Sequence, residues 1–414
     1  MKTASFAACL LLASLGATSP ASAQPPADPV ATLVDHLELE KYKATIKGLT
    51  QFGDRRQGTA RNRAALDWIE AQLKRYGCTN TERLRYDFTE PSKRGPVQLQ
   101  PVRAGGPAAQ GGGTLFGKRA PIGVNTDPMS QPDERLRALN AEQTPLGTSP
   151  RESVYCTKVG ATRPDEMYIV SAHMDGIGFG EAANDDGSGT ALVMELARIF
   201  SLPGVTTERS IRFILWNNEE TGLNGASAYV AQRKELQGIE SPKGSGRYPE
   251  PRWLGMIQHD MLLFDHGMPV PKLDGAGKPV LDVRGQPVYT APKEQRAEAD
   301  VNVEFQVNAK FAEGAAKLAW HLRAANETYA TDYPVAVGNR MTNTDSTPFM
   351  DHVPAISVRE NERGMQIGAG WNPHWHQPTD LYAAYSDKDF LLGLNAAQTT
   401  LAAVAQLTGA SIKP

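Results

Sequence analysis

Cysteine is scarce in this 414-residue chain, which has only Cys9, Cys78 and Cys156. So few thiols exclude a disulfide-stapled miniature scaffold and leave metal binding to nitrogen and oxygen donors. An excess of one charge is missing too. Forty-three Lys and Arg against 46 Asp and Glu give a formal charge of −3, with no basic run and no acidic block. Nothing electrostatic therefore draws the chain to nucleic acid or to an anionic membrane. No stretch beyond the N-terminus approaches the roughly 18 consecutive apolar residues of a membrane span, and there is no internal repeat.

What is there is enough apolar sequence for one large α/β domain, residues 24–414, behind a processing segment. Met1 to Ala23 has a basic start at Lys2, an apolar run from Phe6 to Leu15 and a small-residue site at Ala21-Ser22-Ala23. We expect a signal peptide cleaved before Gln24, with export to the periplasm or secretion. Cleavage removes Cys9. In an oxidising compartment Cys78 and Cys156 either pair or remain two buried thiols.

Along the chain, one helix is expected from Val30 to Leu49 and another from Thr59 to Tyr76, with short strands at Tyr86 to Phe88 and Val97 to Val102. Gly105 to Pro150 is rich in Gly, Pro, Gln and Ala and reads as an insertion, either a solvated excursion or a lid. From Ser153 strands and helices alternate. Strands are expected at Ser153 to Val159, Met167 to Ala172, Ser210 to Trp216, Trp253 to Gln258, Val303 to Val307 and Ala355 to Val358. Helices are expected at Ala191 to Phe200, Asn224 to Leu236, Phe311 to Asn326 and Phe390 to Leu407. A second insertion, Asp265 to Asp300, has strand-like pieces that fit a surface hairpin. This alternation argues for an α/β fold with a mixed, mainly parallel central sheet and helices on both faces, a three-layer sandwich.

The chemistry gathers at strand ends. The run from Tyr168 to Thr190, YIVSAHMDGIGFGEAANDDGSGT, delivers His173 and Asp175 beyond a buried strand and then opens a helix. Ligand groups collect at the carboxyl ends of strands in open α/β sheets. His173 and Asp185 are the first candidate metal ligands, and Asp175 stands behind His173 as the carboxylate that fixes its imidazole tautomer. The strand SIRFILW runs straight into Asn217-Asn218-Glu219-Glu220, where one carboxylate can hold metal and its neighbour can move protons. Late in the chain, His376 is followed four residues on by Asp380.

Together these pieces, in this order, resemble the co-catalytic zinc aminopeptidase family: His173-x-Asp175, Asn184-Asp185-Asp186-Gly187-Ser188-Gly189 with Asp185 twelve residues after His173, Glu219-Glu220 with Gly222, the strand-end Asp260, and His376-x-x-x-Asp380. That family takes in secreted bacterial leucyl aminopeptidases, glutamate carboxypeptidases, glutaminyl cyclases and the transferrin-receptor ectodomain. The resemblance covers Leu49 to Leu407 outside the two insertions. It implies two Zn2+ per chain, with Co2+ or Mn2+ as substitutes. One ion would be held by His173 and Asp260, the other by Glu220 and His376, with Asp185 bridging both and Glu219 as general base and acid. It also implies a cis peptide at Asp185-Asp186. Asp260 directly ends its strand, unlike Asp265, and the Gln-Pro-Thr-Asp after His376 selects it over His374 and His352. Trp375 departs from the family, several members of which place a tyrosine there. Thr344-Asp345-Ser346-Thr347-Pro348-Phe349 is similar to a family segment that sets Asp345 either near the substrate or in a structural turn.

The implied activity is a zinc exopeptidase acting on peptides or small aminoacyl substrates, an aminopeptidase before a carboxypeptidase or dipeptidase. Arg359 or Arg363 would be the carboxylate anchor of a carboxypeptidase. Glutaminyl cyclase and a non-catalytic binding ectodomain are the more distant alternatives.

Overall fold

The computed structural model describes residues 28–78, 80–90, 124–264, 270–281, 283, 285, 288–290, 301–341, 343–360, 372 and 374–413. An eight-stranded sheet forms its centre, in the order β1-β2-β5-β3-β6-β11-β9-β10. Its strands are β1 (Thr81–Glu90), β2 (Gly147–Lys158), β3 (Arg163–His173), β5 (Arg209–Trp216), β6 (Arg252–His259), β9 (Val301–Phe305), β10 (Val335–Gly338) and β11 (Ala355–Glu360). β5, β3, β6 and β11 run parallel, as do β9 and β10, while β1 against β2, β2 against β5 and β11 against β9 are antiparallel. The two-residue strands β4 (Val205–Thr206) and β12 (Ser411–Ile412) pair with each other near the C-terminus.

Strands buried on both faces need mostly apolar side chains, and β5 meets that demand from Ser210 to Trp216, with its one buried cation, Arg212, paired with Glu250. Ile211, Phe213 and Leu215 point into one core, Ile214 and Trp216 into the other. The larger core lies under α1 (Pro29–Val34), α2 (Leu39–Thr50), α3 (Ala60–Arg75), α5 (Gly187–Phe200), α7 (Ala312–Tyr329) and α8 (Asp387–Thr408). The smaller is aromatic: Trp216, Trp253 and Phe349 pack against Tyr229 of α6 (Asn224–Arg233). α8 is apolar and long enough to cross a membrane, but 78% of its most apolar window is buried in the protein, as in a core helix.

The single helix expected from Val30 to Leu49 is two. The backbone N–H groups of His36 and Leu37 turn back onto Leu33 and Val34, at 3.2 and 2.9 Å, and the chain bends between the halves. The bend buries Leu37 and lets α1 pack on α8 while α2 packs on α5. The strand expected at Tyr86 to Phe88 is the middle of β1, and the one at Val97 to Val102 lies outside the described residues. So do residues 1–27, with the expected cleavage site. The described part of the first insertion is structured: it carries a 3-10 turn at Pro128–Ser130, helix α4 (Glu134–Leu139) and the start of β2. In the second, β7 (Val270–Pro271) and β8 (Tyr289–Thr290) pair antiparallel as the expected hairpin. Cys78 and Cys156 form a disulfide, Cα to Cα 6.0 Å, which ties the end of α3 to β2.

Candidate metal centre

Three adjacent parallel strands end on one edge and bring their next residues together. His173 closes β3, Asp260 follows β6, and Glu219 and Glu220 stand just past β5. Asp185 comes from the loop before α5, and His376 from the segment between β11 and α8. These five donors and Glu219 meet in one cleft. Nε2 of His173 lies 3.3 Å from Oδ1 of Asp185 and 3.8 Å from Oδ1 of Asp260. Nε2 of His376 lies 3.0 Å from the other Asp185 oxygen, Oδ2, and 2.9 Å from Oε2 of Glu220. Donors about 2.0–2.1 Å from a tetrahedral zinc stand about 3.3 Å apart, so this spacing fits the ion. Asp185 turns one oxygen to each histidine. Glu219 comes within 4.8 Å of both His173 and Asp260. Oε1 of Glu220, buried and without a hydrogen-bond partner among the described residues, adds to the fit.

The backbone around the cleft takes unusual shapes. Asn218, Met261 and His376 have φ of 68°, 60° and 54°, beside or at candidate site residues, and the Asp185-Asp186 peptide is cis. Left-handed backbone costs a non-glycine residue about 1–2 kcal/mol and persists where surrounding structure holds it. The anchors here are carboxylates. Asp186 caps α5 through Gly189 N (2.8 Å) and also accepts from His173 N (3.1 Å) and Met261 N (3.2 Å), tying three segments of the site together. Asp380 accepts from the backbone of Asn184 and Asp185, at 2.9 and 3.1 Å. Glu360 accepts from Leu263 N, Phe264 N and the Asn184 amide.

Asp175 needs a correction. The Nδ1 of His173 bonds to the main-chain oxygen of Asp175, at 2.9 Å, whereas the nearer carboxylate oxygen is 3.9 Å away. Its carboxylate instead accepts from Glu219 N at 3.1 Å. The sharp turn after β3 aims the carbonyl, not the side chain, at the imidazole, which frees the side chain to hold the backbone of Glu219.

Carboxylates crowded together demand positive charge. Burial pushes the two imidazoles down, yet Glu219, Asp185 and Asp260 around His173, and Glu220 and Asp185 around His376, hold both well above their ordinary range. Burial pushes Asp185 up, but His173 and His376 overcome it and hold the group at about 2. Desolvation pushes Glu220 to about 7 against His376, and it pushes Glu219 well above the usual carboxylate range. Asp345 is also driven far up by burial. Neither of its oxygens has a hydrogen-bond partner among the described residues, and its charge bears on Glu219.

Other expected residues fall in place around this centre. Trp375 stacks on the His376 ring, 4.0 Å between centroids, so its indole braces the imidazole. His374 bonds Thr379 through Nδ1 at 2.9 Å, and His352 is exposed in the turn before β11. Arg363 lies outside the described residues. Arg359 reaches Asp260, with Nη2 2.9 Å from Oδ2, and so is held by an acid rather than offered as an anchor for a carboxylate.

Several supporting residues escaped the sequence reading. Asn125 donates its backbone N–H to His376 O at 3.1 Å and its side chain to Gly178 O at 3.1 Å. Gln131, fully buried, donates to Phe179 O and Pro378 O, both at 2.8 Å. Through these contacts the described part of the first insertion, residues 124–150, clamps the loops that carry His376. Gly178 has φ of 99°, and a Cβ there would lie 2.4 Å from the His376 carbonyl group, so only glycine allows the approach. The one local signal of this contact was the Gly-rich run after Asp175.

Comparison with known proteins gives the same neighbourhood. Residues 154–262 match the model of Peptidase family M28. Aminopeptidase YwaD of Bacillus subtilis (strain 168) is 46% identical over 79 residues, which are 19% of this chain and 17% of that protein. Carboxypeptidase Q of Xenopus laevis is 36% identical over 77 residues, 19% of this chain and 16% of that one. The chain thus matches about a sixth of the length of these relatives. Among solved structures, an aminopeptidase from Aneurinibacillus sp. strain AM-1 superposes with a TM-score of 0.56 at 18% identity, covering 93% of this chain and 96% of that one. The likeness in structure is one of fold. The matched segment, which carries His173, Asp185, Glu219, Glu220 and Asp260, is similar to Peptidase family M28, and the sheet built around it shares the fold of a solved aminopeptidase.

Proposed function

We propose that this protein is an exported zinc-dependent exopeptidase that removes the N-terminal residue of peptides. The observation that carries the reading is the convergence of His173, Asp185, Glu220, Asp260 and His376 at ion-binding distances, with Glu219 beside them. His173 and Asp260 would hold one zinc, Glu220 and His376 the second, and Asp185 both. Bound zinc supplies Lewis-acid activation of water and of the scissile carbonyl. Glu219, anchored through its backbone by Asp175, takes the proton of the attacking water and returns it to the departing amine nitrogen. The acidic lining of the donor cluster favours a substrate ammonium, as an aminopeptidase requires.

The match to carboxypeptidase Q over 77 residues supports a second reading, a carboxypeptidase. The pairing of Arg359 with Asp260 weighs against it, because the guanidinium is already engaged. A panel of free and N-acetylated peptides and aminoacyl anilides, run with chelator and then zinc, separates the two. An aminopeptidase loses activity on acetylation, a carboxypeptidase keeps it, and hydrolysis that survives full chelation refutes both.

A further inference from the structure

Asp260 gives its two oxygens to different partners. Oδ1 faces into the donor cluster, 3.8 Å from His173 Nε2, while Oδ2 lies 2.9 Å from Nη2 of Arg359. Both side chains are buried, Arg359 to 1% exposure and Asp260 to 6%. The arrangement is built on the sheet rather than on a loop. Arg359 belongs to β11, parallel to β6, and Asp260 N donates to Val358 O at 3.1 Å, so adjoining strands fix the two residues relative to each other. The same Nη2 donates to Asn343 O at 3.1 Å, which links the guanidinium to the segment bearing Asp345. A guanidinium stays charged at any working pH, and its donors lie in a rigid plane, so it sets the orientation of the carboxylate as well as binding it.

We propose that Arg359 is a positioning residue that restricts Asp260 to one metal-facing oxygen and so keeps a coordination place open for substrate. The inference rests on the metal-peptidase reading above. A catalytic zinc takes three protein donors and leaves a fourth position for water or substrate, whereas a fourth protein donor closes the site. His173, one oxygen of Asp260 and one of Asp185 make three. A carboxylate with both oxygens free can bind a cation through the pair of them, as carboxylates often do around calcium. Arg359 blocks that mode by occupying Oδ2.

The test uses the mature protein loaded with Co2+, comparing wild type with Arg359→Met and Arg359→Lys. Cobalt per chain is measured by mass spectrometry, and the visible absorption band reports coordination number. In Arg359→Met the band should weaken as one ion gains a ligand, and the affinity for that ion alone should shift, by roughly 10–100-fold, as when a group orienting a metal ligand is lost. Arg359→Lys, which keeps one charged donor, should show a smaller change of the same kind. An Arg359 that served folding alone would move neither the band nor one affinity selectively. An unchanged band with both affinities intact in Arg359→Met overturns the proposal. Should that variant not fold, the lysine variant decides: a weakened band supports the proposal, and a wild-type band overturns it. A wild type that binds no pair of cobalt ions refutes the metal-peptidase reading itself, an outcome visible before any variant is made.

Discussion

Gln131→Ala gives a test of whether the first insertion supports the metal centre. Gln131 is fully buried, with both amide hydrogens donated at 2.8 Å and its oxygen accepting from Asp133 N at 3.0 Å. Alanine would leave the carbonyls of Phe179 and Pro378 without a donor, while the exposed Asp133 turns to water. A buried acceptor stripped of its partner costs about 1–3 kcal/mol. Two of them give about 2–6 kcal/mol, and water entering the space brings the figure to about 2–3 kcal/mol. The loss falls on the loops at Gly178–Phe179 and His376–Pro378, so it should act on the ion assigned to His376 and Glu220. Titrating zinc-loaded protein with a chelating dye should release one zinc at roughly 10–100-fold lower chelator than in wild type, with the other unmoved. Two release steps identical to wild type would refute the clamping role.

Three further outcomes follow from the same geometry. Glu219→Gln should bind both zinc ions normally but lose roughly 10²–10⁴ in kcat, about 3–5 kcal/mol of transition-state stabilisation; full activity on an aminoacyl anilide would remove Glu219 as base. In zinc-free protein, burial raises Glu220, Glu360 and Asp380 to about 7, so the folded state holds protons that the unfolded chain releases above about pH 4. Stability of that form should therefore fall as pH rises from about 4 to 7. The raised His173 and His376 continue the fall at higher pH, because the folded state keeps their protons longer. Zinc displaces protons from its ligands, so its affinity should rise with pH; a zinc-free melting temperature that climbs between pH 5 and 8 would contradict this. Protein produced from Gln24 onward, which lacks Cys9, should show no free thiol when denatured without reductant, since Cys78 and Cys156 are bonded. Closing a span of 78 residues contributes about 4 kcal/mol in the chain-entropy view, and a Cys78→Ser variant that melts like wild type would refute it.

The sheet could be read from the sequence because its strands carry their burial locally. SIRFILW needs both faces covered, and only a central strand offers that. Strand ends then located His173, Glu219, Glu220 and Asp260 within four residues. The bend between α1 and α2 was not readable, because both halves are good helix and only their packing against different partners separates them.

By itself, then, the sequence determined the donor types, their order and the strands that present them, since chemistry and periodicity are written into neighbouring residues. The tertiary structure alone decided which atoms face which. Asp175 turns its carbonyl to His173 and its carboxylate to Glu219 because of the path of one turn. Gln131 reaches Pro378 across 247 residues, and Arg359 takes one oxygen of Asp260 from the next strand. Contacts of that kind leave no local pattern, because they exist only once the chain has folded and brought distant backbone within a hydrogen bond's length.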